Sequence, residues 1–429
     1  MLTTVRNAWR IADLRKKILF TIFILVVYRF GSQIMVPFVN VTALTDYFNA
    51  TLGGTILGVF DMMSGGAFQR GTIFSLSIQP YINASIIMNL LTVGIPALER
   101  MQKEGGEEGR KKIASITRYA TVGLGLLMGF GYYTMLRSGA LGDGTPLLND
   151  QSLLAAVIVV LSFTAGSAFI MWLGEQITEF GIGNGISIIL FASIVSRGPS
   201  MVTSIYFGLM DGAMQWWMVV ILVALALAAV AFVVYMTNAE RRIPIQYSKR
   251  MVGRKMYGGQ STHLPVKVNM SGVMPIIFAQ SIVSFPMTIA AFIPGGNEAL
   301  DGWIGQKSPL YAILYLVLIV AFSFFYQSIQ FNPVEIANNL KQNGGFIPGF
   351  RPGKPTSDFI RKVLNKVTIF GAIFLGLIAV MPIVMDMFLN FQGLALGGTS
   401  LLIIVGVALE TVKAIEAQMM MRHYKGFLE

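Results

Sequence analysis

The feature that most constrains this chain is the recurrence of long apolar runs, near residues 18–37, 72–97, 117–137, 153–173, 182–197, 216–236, 270–293, 309–331, 367–389 and 398–413. A helix needs about 20 predominantly apolar residues to cross the hydrocarbon of a bilayer. In lipid every backbone N–H and C=O must be satisfied internally, which a helix does and an open strand does not. The runs therefore predict an all-α polytopic membrane protein with ten transmembrane helices. The fifth and tenth runs are short and are expected to borrow flanking polar residues. Charged residues make up 12% of the chain, against about 25% in soluble domains, so no separate soluble domain is expected.

The basic residues orient the runs. Of the 32 Lys and Arg, only Arg29, Arg70, Arg137, Arg197 and Lys307 fall away from the side that holds the N-terminus. Because cytosolic loops are enriched in Lys and Arg, both termini are predicted to be cytosolic, as an even number of spans requires. The first 17 residues are polar and basic, and the run after them lacks a small-residue cleavage site. A retained first span, rather than a cleaved signal peptide, is the expectation.

The ten spans divide into 1–200 and 201–429, five in each half. An odd number per half makes the halves enter the membrane in opposite directions, the arrangement of inverted repeats with a pathway between them. The halves share too little sequence for that relation to be read from the chain itself. One segment breaks the pattern: Gly53 to Phe68, GGTILGVFDMMSGGAF, has only about a dozen residues between its glycine pairs. Runs of that length are re-entrant or interfacial, and such backbone survives at membrane depth only where protein or water surrounds it. A short helix dipping into a cavity and an ordinary interfacial loop both remain open.

Several chemistries are excluded. The chain has no Cys, so disulfides, thiolate metal sites and cysteine nucleophiles are ruled out, and His263 and His423 are the only imidazoles. No P-loop or HExxH motif is present. Gly123, Gly125 and Gly129, and Gly181, Gly183 and Gly185, read as helix packing and a turn rather than nucleotide loops. Almost nothing is left for a zinc site or a histidine base, and no metal site or cofactor is expected.

The stretch SGGAF, then TIFSLSIQPYINASIIMNLLT, then EGGEEGRKKI closely resembles the SecY family of protein-conducting channels. So do WLGEQITEFGIGNGISIILFASI at 172–194, QSTHLPVKVNMSGVMPIIFAQSI at 260–282, FNPVEIANNLKQNGGFIPGFRPG at 331–353 and GGTSLLIIVGVALE at 397–410, and the wording looks bacterial. The resemblance implies ten helices in two clamshell halves around an hourglass pore in the bacterial inner membrane. It implies SecE and SecG as small partner subunits, and the SecA ATPase or the ribosome docking on the cytosolic face. Signal sequences and nascent chains of unfolded secretory and membrane proteins would be the substrates, and by the same resemblance the chain would carry no catalytic residues of its own.

Residue roles follow from the motifs by the same resemblance. A pore that passes an extended peptide but holds back ions needs a narrow apolar collar, which gates by dewetting. The matching ring positions are Ile78, Ile82, Ile186, Leu190, Ile277 and Ile403, with Leu190 standing where many relatives have Ile. The i, i+4 spacing of the first two pairs puts each pair on one helix face, although aliphatics so spaced also face lipid or neighbours.

The second span is polar for lipid, with Ser75, Gln79 and Asn83 at i, i+4, Ser85 and Asn89 likewise, and Pro80 expected to interrupt the helix. Such groups face protein or water. They read either as interhelical glue or, by resemblance, as part of the lateral gate with Gln79, Asn83 and Asn89 facing Gln280, Ser281 and Ser284 of the seventh span.

The glycine-flanked segment matches the family plug at about 53–68, with Leu57, Phe60, Asp61 and Met62. Gly65 and Gly66 would permit a sharp turn, and Asp61 is expected to sit in a wet cavity. The loops at about 238–268 and 332–366 carry 13 basic residues. Such charge sets topology and touches anionic lipids. The resemblance further makes Arg351, held between prolines in FIPGFRPG, a contact for SecA or the ribosome, and lets Arg241, Arg242, Lys249, Arg250 and Arg254 meet ribosomal RNA phosphates, a salt-sensitive contact.

The competing reading is an inverted-repeat secondary transporter, which places ionisable residues near the bilayer midplane. Arg29 and Asp386 lie toward the outer ends of their runs, and Glu175 and Glu179 are expected in a cytosolic turn.

Overall fold

The computed structural model describes residues 6, 8–52, 56–139, 145–210, 212, 215–247, 250–252, 255–257, 261–270, 272–290, 308–389 and 398–425. Its helices are α1 Ala12–Gly31, α2 Val41–Tyr47 with a π turn at Phe48–Leu52, α3 Ile56–Met63, α4 Gln79–Gly94, α5 Pro96–Lys103, α6 Gly106–Ser138, α7 Leu153–Phe180, α8 Gly185–Val195, α9 Gly198–Met210, α10 Trp216–Asn238, α11 Met274–Ala290, α12 Pro309–Gln330, α13 Pro333–Gln342, α14 Lys354–Leu389 and α15 Gly398–Lys425.

Among the described residues, six helices are long and apolar enough to cross a bilayer: Gly106–Ser138, Leu153–Phe180, Gly185–Met210, Trp216–Asn238, Pro309–Gln342 and Lys354–Met381. The short fifth run thus gains its length by continuing from α8 into α9. Joining α4 and α5, which meet at 104°, makes a seventh candidate. The bend is local chemistry. Ile95 precedes a proline and takes an extended conformation (φ −109°, ψ 111°), after which Pro96 opens a new helix at its first turn.

Three boundaries differ from expectation. The first run was expected to continue to residue 37, but α1 stops at Gly31, where Ser32 Oγ donates to the Arg29 carbonyl (2.7 Å). Beyond it the chain extends, and the Val36 N–H donates to the Gly71 carbonyl (3.0 Å). The second run was expected to be helical from residue 72, with Pro80 interrupting it. Instead residues 72–78 are mostly turns, and Pro80 occupies the first turn of α4, where a missing N–H leaves no bond unmade. Glu175 and Glu179 lie within α7 rather than in a turn.

The two basic loops are folded, which the all-α expectation missed. Strands β1 Glu240–Tyr247, β4 Ser261–Lys267 and β5 Gly345–Phe346 form one antiparallel sheet in the order β4-β1-β5; β2 Arg250–Val252 and β3 Lys255–Tyr257 pair as a hairpin. The register sets Glu240 opposite Lys267 and Gln246 opposite both Ser261 and Phe346. In β1, Ile243 and Ile245 alternate with exposed neighbours and bury against Val266, Leu340, Ile347, Ile360 and Leu364. Period-two alternation is the strand signature. Pro244 is tolerated because β5 pairs with β1 only at Gln246 and Tyr247, which leaves that side of β1 an open edge at the proline.

The helices pack closely. A Cβ on Gly125 of α6 would sit 3.2 Å from Ser167 Oγ of α7, so this glycine serves helix–helix approach as expected. Early and late helices meet where α8 packs against α15 and α3 against α11. A single apolar cluster runs from α1 through α4, α8 and α11 to α15.

Candidate functional site

At the middle of the bundle lies α3, an eight-residue helix too short to span. It packs against α8 on one side and α11 on the other, and Ser400 Oγ at the start of α15 donates to Met62 Sδ (2.8 Å). After Met63 the chain reverses through Gly65 (φ 69°) and Gly66 (φ 86°), conformations that side-chain-bearing residues rarely adopt. The Ser64 hydroxyl closes the reversal by donating to the Asp61 carbonyl (2.9 Å) and accepting from the Phe68 N–H (3.1 Å). Tyr132 of α6 fixes the far side, donating to the Phe68 carbonyl (2.5 Å) with its ring stacked on Phe68 at 4.4 Å. Residues 53–55 of the plug segment lie outside the described residues.

The segment therefore holds a short helix that packs against α8 and α11. Leu57 is buried, and Phe60 and Met62 are half-buried. Asp61 corrects the sequence reading. No wet cavity surrounds it: its side chain is 0% exposed and accepts from the Arg197 guanidinium (Oδ2–Nη1, 2.5 Å) and the Gln69 N–H (Oδ1, 2.8 Å). A buried carboxylate demands such partners, because an ion left alone in a dry interior costs several kcal/mol, about 3–5 when one partner is removed.

The expected ring residues come to the same core. Ile78, Ile82, Leu190, Ile277 and Ile403 are buried in the apolar cluster and Ile186 packs at its margin. That cluster is large, so shared membership places them without by itself making a ring. Ile78 is the N-cap of α4 rather than part of it, following Ser77, whose φ of 51° is strained for a non-glycine residue. The Ser77 hydroxyl donates to the Met63 carbonyl (3.3 Å), so the strained residue touches the end of α3.

The expected gate residues fall on α4 and α11, which touch. Gln79 Nε2 reaches Met63 Sδ (3.3 Å), while its buried Oε1 has no hydrogen-bond partner among the described residues. That oxygen belongs to a residue lining a small apolar cavity with Leu57, Phe60, Leu76 and Tyr132. Asn83 points at Met128 of α6, its Nδ2 3.9 Å from the sulfur, and Asn89 is half-buried. On α11, Gln280 donates to the Tyr311 hydroxyl of α12 (3.1 Å), and Ser281 is buried. The Ser284 side chain lies outside the described residues. The structure thus pairs Gln280 with a neighbour in its own half, not with Gln79, Asn83 or Asn89.

Arg351 is exposed on the turn between β5 and α14, and its carbonyl accepts from Thr356 Oγ1 (2.8 Å). Arg241 and Arg242 are exposed on β1, Arg242 bonded to Glu240 (2.7 Å). Arg250 belongs to β2, while Lys249 and Arg254 lie outside the described residues.

Sequence reasoning missed the residues that seat α3. Arg197 binds Asp61; Arg29 donates to the Gly65 carbonyl (3.3 Å) and Ser196 Oγ (3.2 Å); Tyr28 bonds Ser193 Oγ (2.7 Å) and donates to the Ser64 carbonyl (3.4 Å). The available signal was that Arg29 and Arg197 are two of the five basic residues violating the charge rule. No local spacing connects them to Asp61.

A family model described as SecY matches residues 72–412. The chain is 46% identical over 440 residues to the protein translocase subunit SecY of Streptomyces galbus, covering 100% of each, and 42% identical over 450 residues to that of Mycobacterium bovis, again covering 100% of each. A solved structure described as the plug domain of the SecY protein stabilising the closed state of the translocation channel and maintaining a membrane seal superposes with TM-score 0.67 at 20% identity, over 94% of this chain and 92% of that one. Sec61 in the canine ribosome–channel complex from the endoplasmic reticulum superposes with TM-score 0.63 at 17% identity, over 94% and 92%. At such identities these superpositions speak for the fold.

Proposed function

The chain belongs to the SecY family, and from that premise we propose that it is the central pore-forming subunit of a Sec translocase. It conducts unfolded secretory proteins across the bacterial inner membrane and releases membrane segments sideways through a gate. The observation that carries this reading is α3, a helix too short to span that is held between α8 of one half and α11 of the other. A lipid anchor has no use for such an element. A closed polypeptide pathway does, because something must occupy it at rest.

The finer assignments rest on the same premise. Ten spans form two inverted halves, 1–200 and 201–429, with both termini cytosolic. Ile78, Ile82, Ile186, Leu190, Ile277 and Ile403 form the collar, α3 is the plug, and α4 and α11 line the gate. The Gln280–Tyr311 bond within the second half supports a gate whose two sides are each self-satisfied and so separable. Arg351, Arg241 and Arg242 meet SecA or the ribosome, SecE and SecG complete the complex, and the basic face lies against anionic lipid. The chain is a conduit, with the drive supplied by its partners. A secondary transporter is not favoured, since Asp61 and Arg197 are bound to each other rather than poised to exchange an ion.

A cysteine at Ile78 or Ile277, unique in a chain without cysteine, is expected to crosslink to a secretory polypeptide stalled in transit. Crosslinks found only at lipid-facing positions such as Phe23 or Leu127 would overturn the channel reading.

A further inference from the structure

We propose that the Asp61–Arg197 ion pair is a latch that holds the plug helix in its seat, with Arg197 as the positioning residue. The inference rests on the plug reading above and adds what keeps the plug in place.

The other contacts of α3 with its surroundings specify position weakly. Leu57 and Met63 pack in the apolar cluster, and the sulfurs of Met62 and Met63 accept from Ser400 and Gln79. Apolar burial is non-directional, the two sulfurs are weak acceptors, and the Ser77 hydroxyl fixes only the last residue of α3 through the Met63 carbonyl. The Asp61 carboxylate is different. Both its oxygens are occupied, one by its own turn at Gln69 and the other by a guanidinium 136 residues away, just past the end of α8. Rotating α3 by one residue, about 100°, would carry the carboxylate away from Arg197 into apolar surroundings.

The same corner is clamped a second time. Arg29, in the last turn of α1, donates both to the Gly65 carbonyl at the plug's exit and to Ser196, the residue before Arg197. Tyr28 bridges Ser64 and Ser193. The plug's C-terminal turn is thus held between α1 and α8, both of the first half.

An ion pair suits a part that must leave. Removing two charges from water roughly offsets their attraction, so a buried pair adds little net stability, yet removing one member strands the other. The intact latch therefore fixes the seat without making the closed state hard to leave, because both charges regain water when the plug departs. The loss of either member is not symmetric. Asp61 is fully buried, whereas the Arg197 side chain is 24% exposed and reaches solvent. Arg197→Met strands a buried anion; Asp61→Asn leaves a cation that already touches water and an amide whose oxygen still accepts from Gln69.

The test is resting ion leak through the chain assembled with its small partner subunits in vesicles, with deletion of residues 55–66 as the reference for an unplugged pore. Arg197→Met is expected to leak at least about tenfold more than the wild type, and Asp61→Asn and the double replacement D61L/R197M to fall between the two, since the apolar pair removes the stranded charge but restores no directional bond. A second readout needs no conductance. A single cysteine at Leu57, 5% exposed in the closed seat, should react with a water-soluble thiol reagent about tenfold faster when combined with Arg197→Met than without it.

Equal sealing and equal labelling in Arg197→Met and wild type, with the deletion leaking, would overturn the latch and leave the plug reading intact. A leak in D61L/R197M as large as in Arg197→Met would also overturn it, by showing that the arginine acts through its shape. A deletion that does not leak would instead bring down the plug reading itself.

Discussion

The seat of α3 and the sheet of the basic loops treat charge in opposite ways. At α3, Asp61 is fully buried and its charge is answered inside the chain by Arg197. At the sheet, Arg351 is exposed on a turn, Arg242 on the face of β1 that looks away from its core, and Arg241 at the open start of the strand. A buried charge must be paired, so its partner encodes where one part of the chain sits relative to another. An exposed charge is satisfied by water, contributes little to stability, and stays available to a molecule arriving from outside. The difference separates charge that positions the protein from charge that presents it.

The comparison predicts that reversing an exposed charge abolishes function without touching the fold. Arg351→Glu is expected to eliminate SecA-driven transport into vesicles while the sheet keeps its amide-exchange protection; normal transport would remove the assigned contact.

The reverse should hold for the core under those arginines. Ile360 is 0% exposed beneath β1, and Ile360→Ala should cost about 2–5 kcal/mol through lost burial and a residual cavity. Faster exchange across β1 and β4 is the readout, and unchanged protection would mean that the sheet is held by something other than its core.

The smallest effect is expected at Arg118 of α6 and Glu175 of α7, whose 2.8 Å ion pair is open to solvent with side chains 51% and 25% exposed. Arg118→Ala should change stability by less than about 1 kcal/mol. A larger loss would erase the distinction between positioning and presented charge.

Much of the helical layout was legible because its causes are local. Apolar runs map onto α6, α7, α10, α12 and α14, and Pro96 after an extended Ile95 marks the bend between α4 and α5. Gly65 and Gly66 announced the turn that ends the plug helix. The sheet was not legible. Residues Glu240 to Tyr247 alternate over only a short stretch, and their partners arrive from Ser261–Lys267 and from Gly345, almost 100 residues further on (Tyr247 to Gly345). Pro244 also argued against a strand, and only the short reach of β5 makes it acceptable.

By itself the sequence determined that this chain lives among lipid and, through long motifs, the family it belongs to. Each of these depends on composition or on residues adjacent in the chain. Only the tertiary structure decided that Asp61 is dry, that Arg197 and Arg29 bond to α3 and the turn that follows it, and that Gln280 bonds to Tyr311. The physical reason is distance along the chain. A buried polar group must find a partner somewhere, but its identity emerges only when helices 136 residues apart are brought together.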